Sequence, residues 1–259
     1  MSDNELFNER FHGITRLYGV EGAEKIRNAH LCVVGIGGVG SWIVEALARS
    51  GVGEITLIDH DEIALSNINR QLHTLNSTVG RQKVEVMAER VLEINPECTV
   101  HAFDDRLTSE NLDQYIHKDL DGVIDAIDVI KFKAEMIYFC KRNKINIVTT
   151  GGAGGMRDPS QITVADLSRT TNDPLAAKVR NQLRRLHNFS RNPKRKFGIE
   201  CVYSTEQPVY PKADGSVSCE KPGVHGLTLD CAMGYGAAVA VTASFGFIAA
   251  ATMINRLVK

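Results

Sequence analysis

His30-Leu31-Cys32-Val33-Val34 runs directly into Gly35-Ile36-Gly37-Gly38-Val39-Gly40. The first five residues read as a short apolar strand covered on both faces, as in a parallel sheet. The glycines that follow allow positive φ and let backbone N–H groups come close to a phosphate. A helical pattern with apolar Trp42, Ile43, Ala46 and Leu47 comes next, closed by Gly51 and Gly53. Strand, glycine turn and helix in that order predict a nucleotide on the helix N-terminus. Residues 54–58 read as the second strand, ending at Asp59, 24 positions after Gly35. A carboxylate there accepts ribose hydroxyls.

The alternation continues outward. Helices are expected over 5–28, 79–95 (stopped by Pro96), 108–116 (capped by Thr108) and 131–141. Strands are expected over 99–103, 121–127 (ending at Asp128) and 146–150. This predicts an α/β fold: a doubly wound, mostly parallel, Rossmann-like sheet. After Gly151-Gly152-Ala153-Gly154-Gly155 the pattern loosens. A strand over 161–166, a Pro174-led basic helix over 175–189, a linker over 190–196, a strand over 199–203 and a polar loop over 205–225 follow. The expected division is a nucleotide-binding unit over 1–165 and a C-terminal extension over 166–259. The extension carries the basic insertion and a Gly/Ala-rich helix packed on the same domain.

Composition excludes disorder and a disulfide-stapled module. The 259 residues are 43% hydrophobic and 24% charged. The six cysteines form no C-x-x-C pair, which argues against a zinc ribbon and for free thiols in a reducing cytoplasm. Thirty Lys/Arg against 31 Asp/Glu give a net charge of -1. Eight of the basic residues fall within 178–196, where there is no acid: Lys178, Arg180, Arg184, Arg185, Arg191, Lys194, Arg195 and Lys196. Such a block on an otherwise acidic chain suggests contact with a polyanionic partner at one place. Residues 231–255 carry no charge and are followed by Arg256 and Lys259. That length could span a bilayer, so membrane association is an alternative. The Ala/Gly content favours a buried helix or a close-packed subunit contact.

The glycine turn and Asp59 do not separate a dinucleotide from ATP. Asn69-Arg70-Gln71, Lys83 and Asp128 bear on that choice. A triphosphate carries more charge than a pyrophosphate, so a converging Arg and Lys suit it, and an Asp opposite them can hold Mg²⁺ through oxygen.

The ordered blocks G-I-G-G-V-G (35–40), I-D-H-D (58–61), S-N-I-N-R-Q (66–71), Lys83 and D-A-I-D (125–128) resemble the ubiquitin-activating-enzyme-like adenylating superfamily over about 10–165. The resemblance implies binding of MgATP and transfer of AMP to a carboxylate. It places Gly35, Gly37, Gly38, Gly40, Asp59, Asp61, Asn69, Arg70, Gln71, Lys83 and Asp128 at the nucleotide. Asp59 would bind the ribose, Asn69, Arg70 and Lys83 the phosphates, and Asp128 the Mg²⁺, with Arg70, Lys83 and Asp128 as the catalytic set. Two features depart from the members that activate sulfur carriers. Paired C-x-x-C ligands are missing, and only Arg10 and Arg16 stand for the arginine pair those members offer across a dimer. R-F-H-G-I-T-R-L-Y-G (10–19), T-G-G-A-G-G (150–155), the basic segment and the Gly/Ala-rich tail resemble instead the tRNA threonylcarbamoyladenosine dehydratase branch. This implies tRNA as partner and a homodimer. It leaves open a sulfur-relay protein, a monovalent cation near the ATP, and the roles of Cys201, Cys219 and Cys231. Adenylation of a carrier-protein C-terminus, NAD-dependent oxidoreduction and a nucleotide-sensing RNA-binding module are the rival readings.

Overall fold

A computed structural model describes residues 3–212, 214–220 and 235–259. Cys231, Pro222 and the first part of the uncharged 231–255 run lie outside the described residues.

The expected strands form one seven-stranded sheet. In chain order they are β1 (His30–Val34), β2 (Glu54–Asp59), β3 (Thr99–Asp104), β4 (Gly122–Asp125), β5 (Ile147–Thr150), β6 (Ile162–Asp166) and β7 (Glu200–Ser204). Their spatial order is β3-β2-β1-β4-β5-β7-β6. All neighbours are parallel except β6, which pairs antiparallel with β7. The strand order reverses between β1 and β4, where a doubly wound sheet opens a crevice at its carboxyl edge. β7, from the C-terminal part of the chain, lies between β5 and β6 in the same sheet.

Both faces of the central strands are covered, because alternate residues feed opposite layers. Leu31 and Val33 pack with α2 (Gly40–Arg49), α3 (Lys83–Ile94) and α7 (Val239–Leu257) through Ile43, Leu47, Met87, Val91, Phe245 and Met253. Cys32 and Val34 pack on the other side, with α5 (Ile130–Asn143) and α6 (Pro174–Leu186) through Ile137, Cys140, Val179 and Leu183. Glu45 of α2, buried, ties α3 to α2 by accepting from Arg90 at 2.6 Å while it pairs with Arg49 in its own helix at 2.7 Å.

α7 is the apolar tail helix expected from the sequence. It is long and apolar enough to cross a membrane by composition, and half of that apolar window is buried within the protein. Its Gly246 lies so close to α2 that a Cβ there would stand 2.7 Å from Trp42 Cβ and 2.8 Å from the Val39 carbonyl. Close packing against α2 requires a glycine at that position.

Several expected boundaries move. The 79–95 helix starts only at Lys83, because residues 79–82 form a turn bridged to Glu62. The 108–116 helix shrinks to α4 (Leu112–Tyr115), with Asn111 Oδ1 accepting from the Thr108 N–H at 2.7 Å and holding the preceding loop. The N-terminal helix α1 (Asp3–Arg27) is broken at Phe11 and at Gly19, whose φ is 74°. The loop after β7 contains a small hairpin, β8 (Tyr210–Pro211) and β9 (Val217–Ser218), that short polar strands did not betray. β4 ends at Asp125, so Asp128 lies three residues past the strand, in the loop leading to α5.

Candidate nucleotide site

The glycine turn is built by close contacts that leave one side open. Gly35 has φ +86°, and a Cβ on it would stand 3.0 Å from the Ala126 carbonyl oxygen and 2.9 Å from Ile127 Cγ2. A Cβ on Gly40 would collide with the Gly35 carbonyl, so the start of α2 sits directly on the turn. Gly37 is different: the nearest atom to its added Cβ is Gln71 Nε2, at 3.8 Å. Backbone there is bare on the side where a phosphate would approach a helix N-terminus.

Asp59, at the end of β2, accepts from the Ile36 N–H at 2.6 Å and from the Asp61 N–H at 2.9 Å. Each carboxylate oxygen keeps acceptor capacity for a further donor. Asp61 binds Lys83 Nζ at 2.7 Å, and its backbone carbonyl accepts from the Lys83 N–H at 3.2 Å. Lys83 is only 4% exposed. Burial is the largest single influence on Asp61 and works against its charge, but the hydrogen bond and charge of Lys83, with His60 and Arg106 adding to them, together hold the carboxyl below its ordinary range.

The 66–71 segment folds back over the turn. A Cβ on Gly38 would stand 3.4 Å from Arg70 Cγ, so the arginine stem lies along the glycines. Arg70 is anchored twice by its carbonyl, from Trp42 Nε1 at 3.0 Å and from Thr242 Oγ1 at 3.4 Å. Its guanidinium donates to the Ser66 carbonyl at 2.9 Å and to Asn69 Oδ1 at 3.0 Å. Asn69 in turn donates to the Ala237 carbonyl at 2.8 Å, so it positions Arg70 and links the segment to the approach to α7. Gln71 is buried and its Oε1 has no hydrogen-bond partner among the described residues. An orphaned buried acceptor beside a bare glycine backbone fits a missing ligand.

Sequence reasoning missed four residues. His73 is buried, and its Nε2 bonds the Ile36 carbonyl at 2.7 Å, which fixes the turn from below. A carbonyl only accepts, so Nε2 carries the proton; burial lowers the ring's pKa and keeps it neutral. Asp125 and Lys133 form a buried pair at 2.9 Å, with Thr149 Oγ1 donating to Asp125 at 2.6 Å. Burial pushes the Asp125 carboxyl up against the pull of Lys133. Asp173, the cap of α6, also accepts from the Gly152 N–H at 3.0 Å beneath the glycine-rich loop after β5. Burial raises its pKa, against the hydrogen bonds from Ala176 and Gly152.

Asp128 is exposed on the loop whose residues Ala126 and Ile127 border Gly35. Of the basic block, Lys178, Arg185, Arg191, Lys194, Arg195 and Lys196 are exposed. Two members are not available in that way. Arg180 turns inward to Thr170 Oγ1 and the Leu167 carbonyl, and Arg184 donates to the Ser190 carbonyl at 3.4 Å and lies over the Phe197 ring. The thiols of Cys32, Cys98, Cys140 and Cys201 are buried, and burial raises their pKa, to about 12 for Cys98 and Cys140. Cys201 is thus unsuited to act as a thiolate nucleophile.

The ThiF family model matches residues 12–259. The tRNA threonylcarbamoyladenosine dehydratase of Haemophilus influenzae is 54% identical over 259 residues, covering 100% of this chain and 97% of that protein. The Escherichia coli K12 protein of the same name is 51% identical over 255 residues, covering 98% and 95%. A crystal structure of the E. coli tRNA N6-threonylcarbamoyladenosine dehydratase in complex with ATP superposes with a TM-score of 0.87 at 48% identity, covering 99% of this chain and 96% of that one. The glycine turn, the folded-back 66–71 segment and these likenesses agree: the chain belongs to the ThiF family, in its tRNA threonylcarbamoyladenosine dehydratase branch.

Proposed function

We propose that this chain catalyses the ATP-dependent cyclisation of threonylcarbamoyladenosine in tRNA, near the anticodon. The observation that carries the reading is Arg70-Gln71 lying on Gly37-Gly38, with buried Lys83 held at Asp61. A carboxylate is a poor electrophile. Attack of the threonine carboxylate oxygen on the α-phosphorus of ATP releases pyrophosphate and leaves an acyl-adenylate. A nitrogen of the same ureido group then attacks the acyl carbon, loses its proton and expels AMP. The ring closes with net loss of water. The closure is intramolecular and needs no cysteine.

The glycine N–H groups hold phosphate, Asp59 accepts ribose hydroxyls, and Gln71 Oε1 takes a donor from the ligand. Arg70 and Lys83 hold the charge that develops as pyrophosphate leaves. Asp128 suits Mg²⁺, an oxygen-seeking ion that neutralises phosphate charge when bound. The chain acts in the cytoplasm as a homodimer. Exposed Leu17 and Val20 on α1, beside exposed Arg10 and Arg16, support a subunit contact. A sulfur-relay protein and a monovalent cation remain further candidates for docking.

The test is mass spectrometry of nucleosides from tRNA incubated with the chain, ATP and Mg²⁺. Conversion of threonylcarbamoyladenosine to a product lighter by one water, with pyrophosphate release that depends on the tRNA, is the expected result. Pyrophosphate release driven by a carrier protein and indifferent to tRNA would replace this reading with the carrier-activating one. Saturable NADH binding would favour the oxidoreductase.

The exposed basic residues bind the tRNA backbone. Changing Arg185, Lys194, Arg195 and Lys196 together to Gln will weaken tRNA binding and leave ATP binding intact. The slope of log affinity against log salt should flatten by roughly 0.7–0.9 for each phosphate that is no longer neutralised. An unchanged slope in a filter-binding salt series would remove the block from the interface.

A further inference from the structure

The edge of the sheet opposite the glycine turn carries a second cluster of ligating side chains. His30 opens β1, Glu54 opens β2 and His101 is the third residue of β3. In the strand register His30 pairs with Glu54, and Thr56 pairs with His101. Paired residues share a face, and so do residues two apart on one strand. His30, Glu54, Thr56 and His101 therefore stand together on one face of three adjacent strands.

Their hydrogen bonds fix donor atoms toward a common point. His30 Nε2 bonds Thr56 Oγ1 at 2.8 Å, which leaves Nδ1 directed at Glu54 Oε1, 3.4 Å away. His101 Nε2 is 2.8 Å from the same carboxylate oxygen. The backbone of His30 is itself held by Asp121, whose Oδ2 accepts the His30 N–H at 2.8 Å. One ligand atom from each of His30, Glu54 and His101 lies within 4.8 Å of the others. A tetrahedral ion with ligands at 2.0–2.1 Å requires them roughly 3.3 Å apart. The His30–Glu54 separation already has that value, and the His101–Glu54 hydrogen bond needs to open by about half an ångström for the same geometry. A cavity of ≈ 480 Å³ reaches the cluster and is lined also by His117, Tyr115 and Asp121, which leaves room for a water as the fourth ligand.

We propose that His30 Nδ1, Glu54 and His101 Nε2 form a binding site for Zn²⁺ or a similar imidazole-seeking divalent ion. Two imidazoles and one carboxylate with an open position disfavour Mg²⁺ and Ca²⁺, which prefer oxygen. Thr56 is the outer partner that holds the His30 tautomer, the role such hydrogen bonds play around metals. The ion clamps the amino-terminal ends of β1, β2 and β3, at the far end of these strands from the nucleotide residues.

The test uses the full-length chain stripped with a chelator and titrated with Zn²⁺ against a chromophoric competitor, without ATP. One ion per chain is expected. His101→Ala and Glu54→Gln should each weaken binding at least tenfold, and Thr56→Val by about tenfold. Circular dichroism checks that each variant folds. Cobalt substitution should give the visible bands of a four-coordinate site in the wild type and lose them in His101→Ala. Zinc binding unchanged in both His101→Ala and Glu54→Gln overturns the proposal, as does a wild-type chain that takes up no ion at micromolar Zn²⁺. Loss confined to His60→Ala also overturns it, by placing the ion at Asp59, His60 and Asp61, whose ligand atoms also lie within 4.8 Å of one another.

Discussion

Lys83→Met lowers tRNA-dependent pyrophosphate release by two to three orders of magnitude while the chain stays folded. The expectation follows from where the ammonium sits. Its stem is buried at the start of α3 and its head meets only the half-exposed Asp61 at 2.7 Å among the described residues. Methionine keeps the stem's packing and removes the charge, so the change isolates electrostatics. Asp61 then loses its partner, but water reaches it, and the cost to stability stays small. At the phosphates there is no such substitute. Removing one preorganised group aimed at developing charge costs roughly 10²–10³ in rate, or about 3–4 kcal/mol. Arg70→Ala should behave similarly, with an added loss because its stem also covers Gly38. Steady-state pyrophosphate release at saturating tRNA, with thermal denaturation alongside, checks this. Activity within threefold of wild type in both variants would end the adenylation assignment for these residues.

The parts of this site that the sequence makes legible share one property: local chemistry sets them. Glycines at 35, 37, 38 and 40 announce a turn because no other residue fits Gly35 against Ala126 or Gly40 against the Gly35 carbonyl. Asp59 is legible because it ends an apolar strand. The apolar run Leu31-Cys32-Val33-Val34 of β1 points to a sheet buried on both faces. What escaped depends on distant partners. His73 matters because it reaches Ile36, 37 residues away, and nothing in Q-L-H-T marks it. Lys133 sits in a helix whose apolar pattern casts lysine as an exposed residue, yet it is 1% exposed, because Asp125 lies beneath it on β4. In D-A-I-D the sequence pattern singled out Asp128, while the buried member of the motif is Asp125. The basic block shows the same limit. Its charge was countable, but only packing separates Arg180, spent on Thr170, from Arg195 and Lys196 in solvent. The antiparallel turn of β6 follows from its position beyond β7 at the sheet edge, which no residue of Ile162–Asp166 encodes by itself.

Breaking the Asp125–Lys133 pair gives a large stability loss, and its pH dependence identifies the cause. Asp125 is 0% and Lys133 1% exposed, with Nζ at 2.9 Å from Oδ1 and 2.9 Å from the Ile127 carbonyl. Lys133→Met leaves a carboxylate in the core with, among the described residues, only the Thr149 hydroxyl and the Ile127 N–H as donors. Removing one partner of such a pair costs about 3–5 kcal/mol. Without the ammonium, the burial that already pushes this carboxyl up is unopposed by Lys133, so the folded state of the variant holds its proton to higher pH than the unfolded chain does. A folded-state pKa raised above the unfolded value gives stability that is complete below the unfolded carboxylate range and falls as pH rises toward the folded value, by about 1.4 kcal/mol per pH unit. The loss in Lys133→Met is therefore greatest near pH 8 and smallest near pH 4. Asp125→Asn combined with Lys133→Met removes the titrating group, keeps a hydrogen-bonding side chain against Thr149, and should restore most of the stability with a flat profile. Urea unfolding of the single and double variants across that range measures both effects. A loss in the single variant that does not change with pH would mean that cavity formation, and not the stranded carboxylate, carries the cost. The same pair reaches the nucleotide site through Ile127, whose carbonyl Lys133 holds and whose side chain borders Gly35. Lys133→Met should for that reason weaken ATP binding even near pH 4, where the fold is nearly recovered.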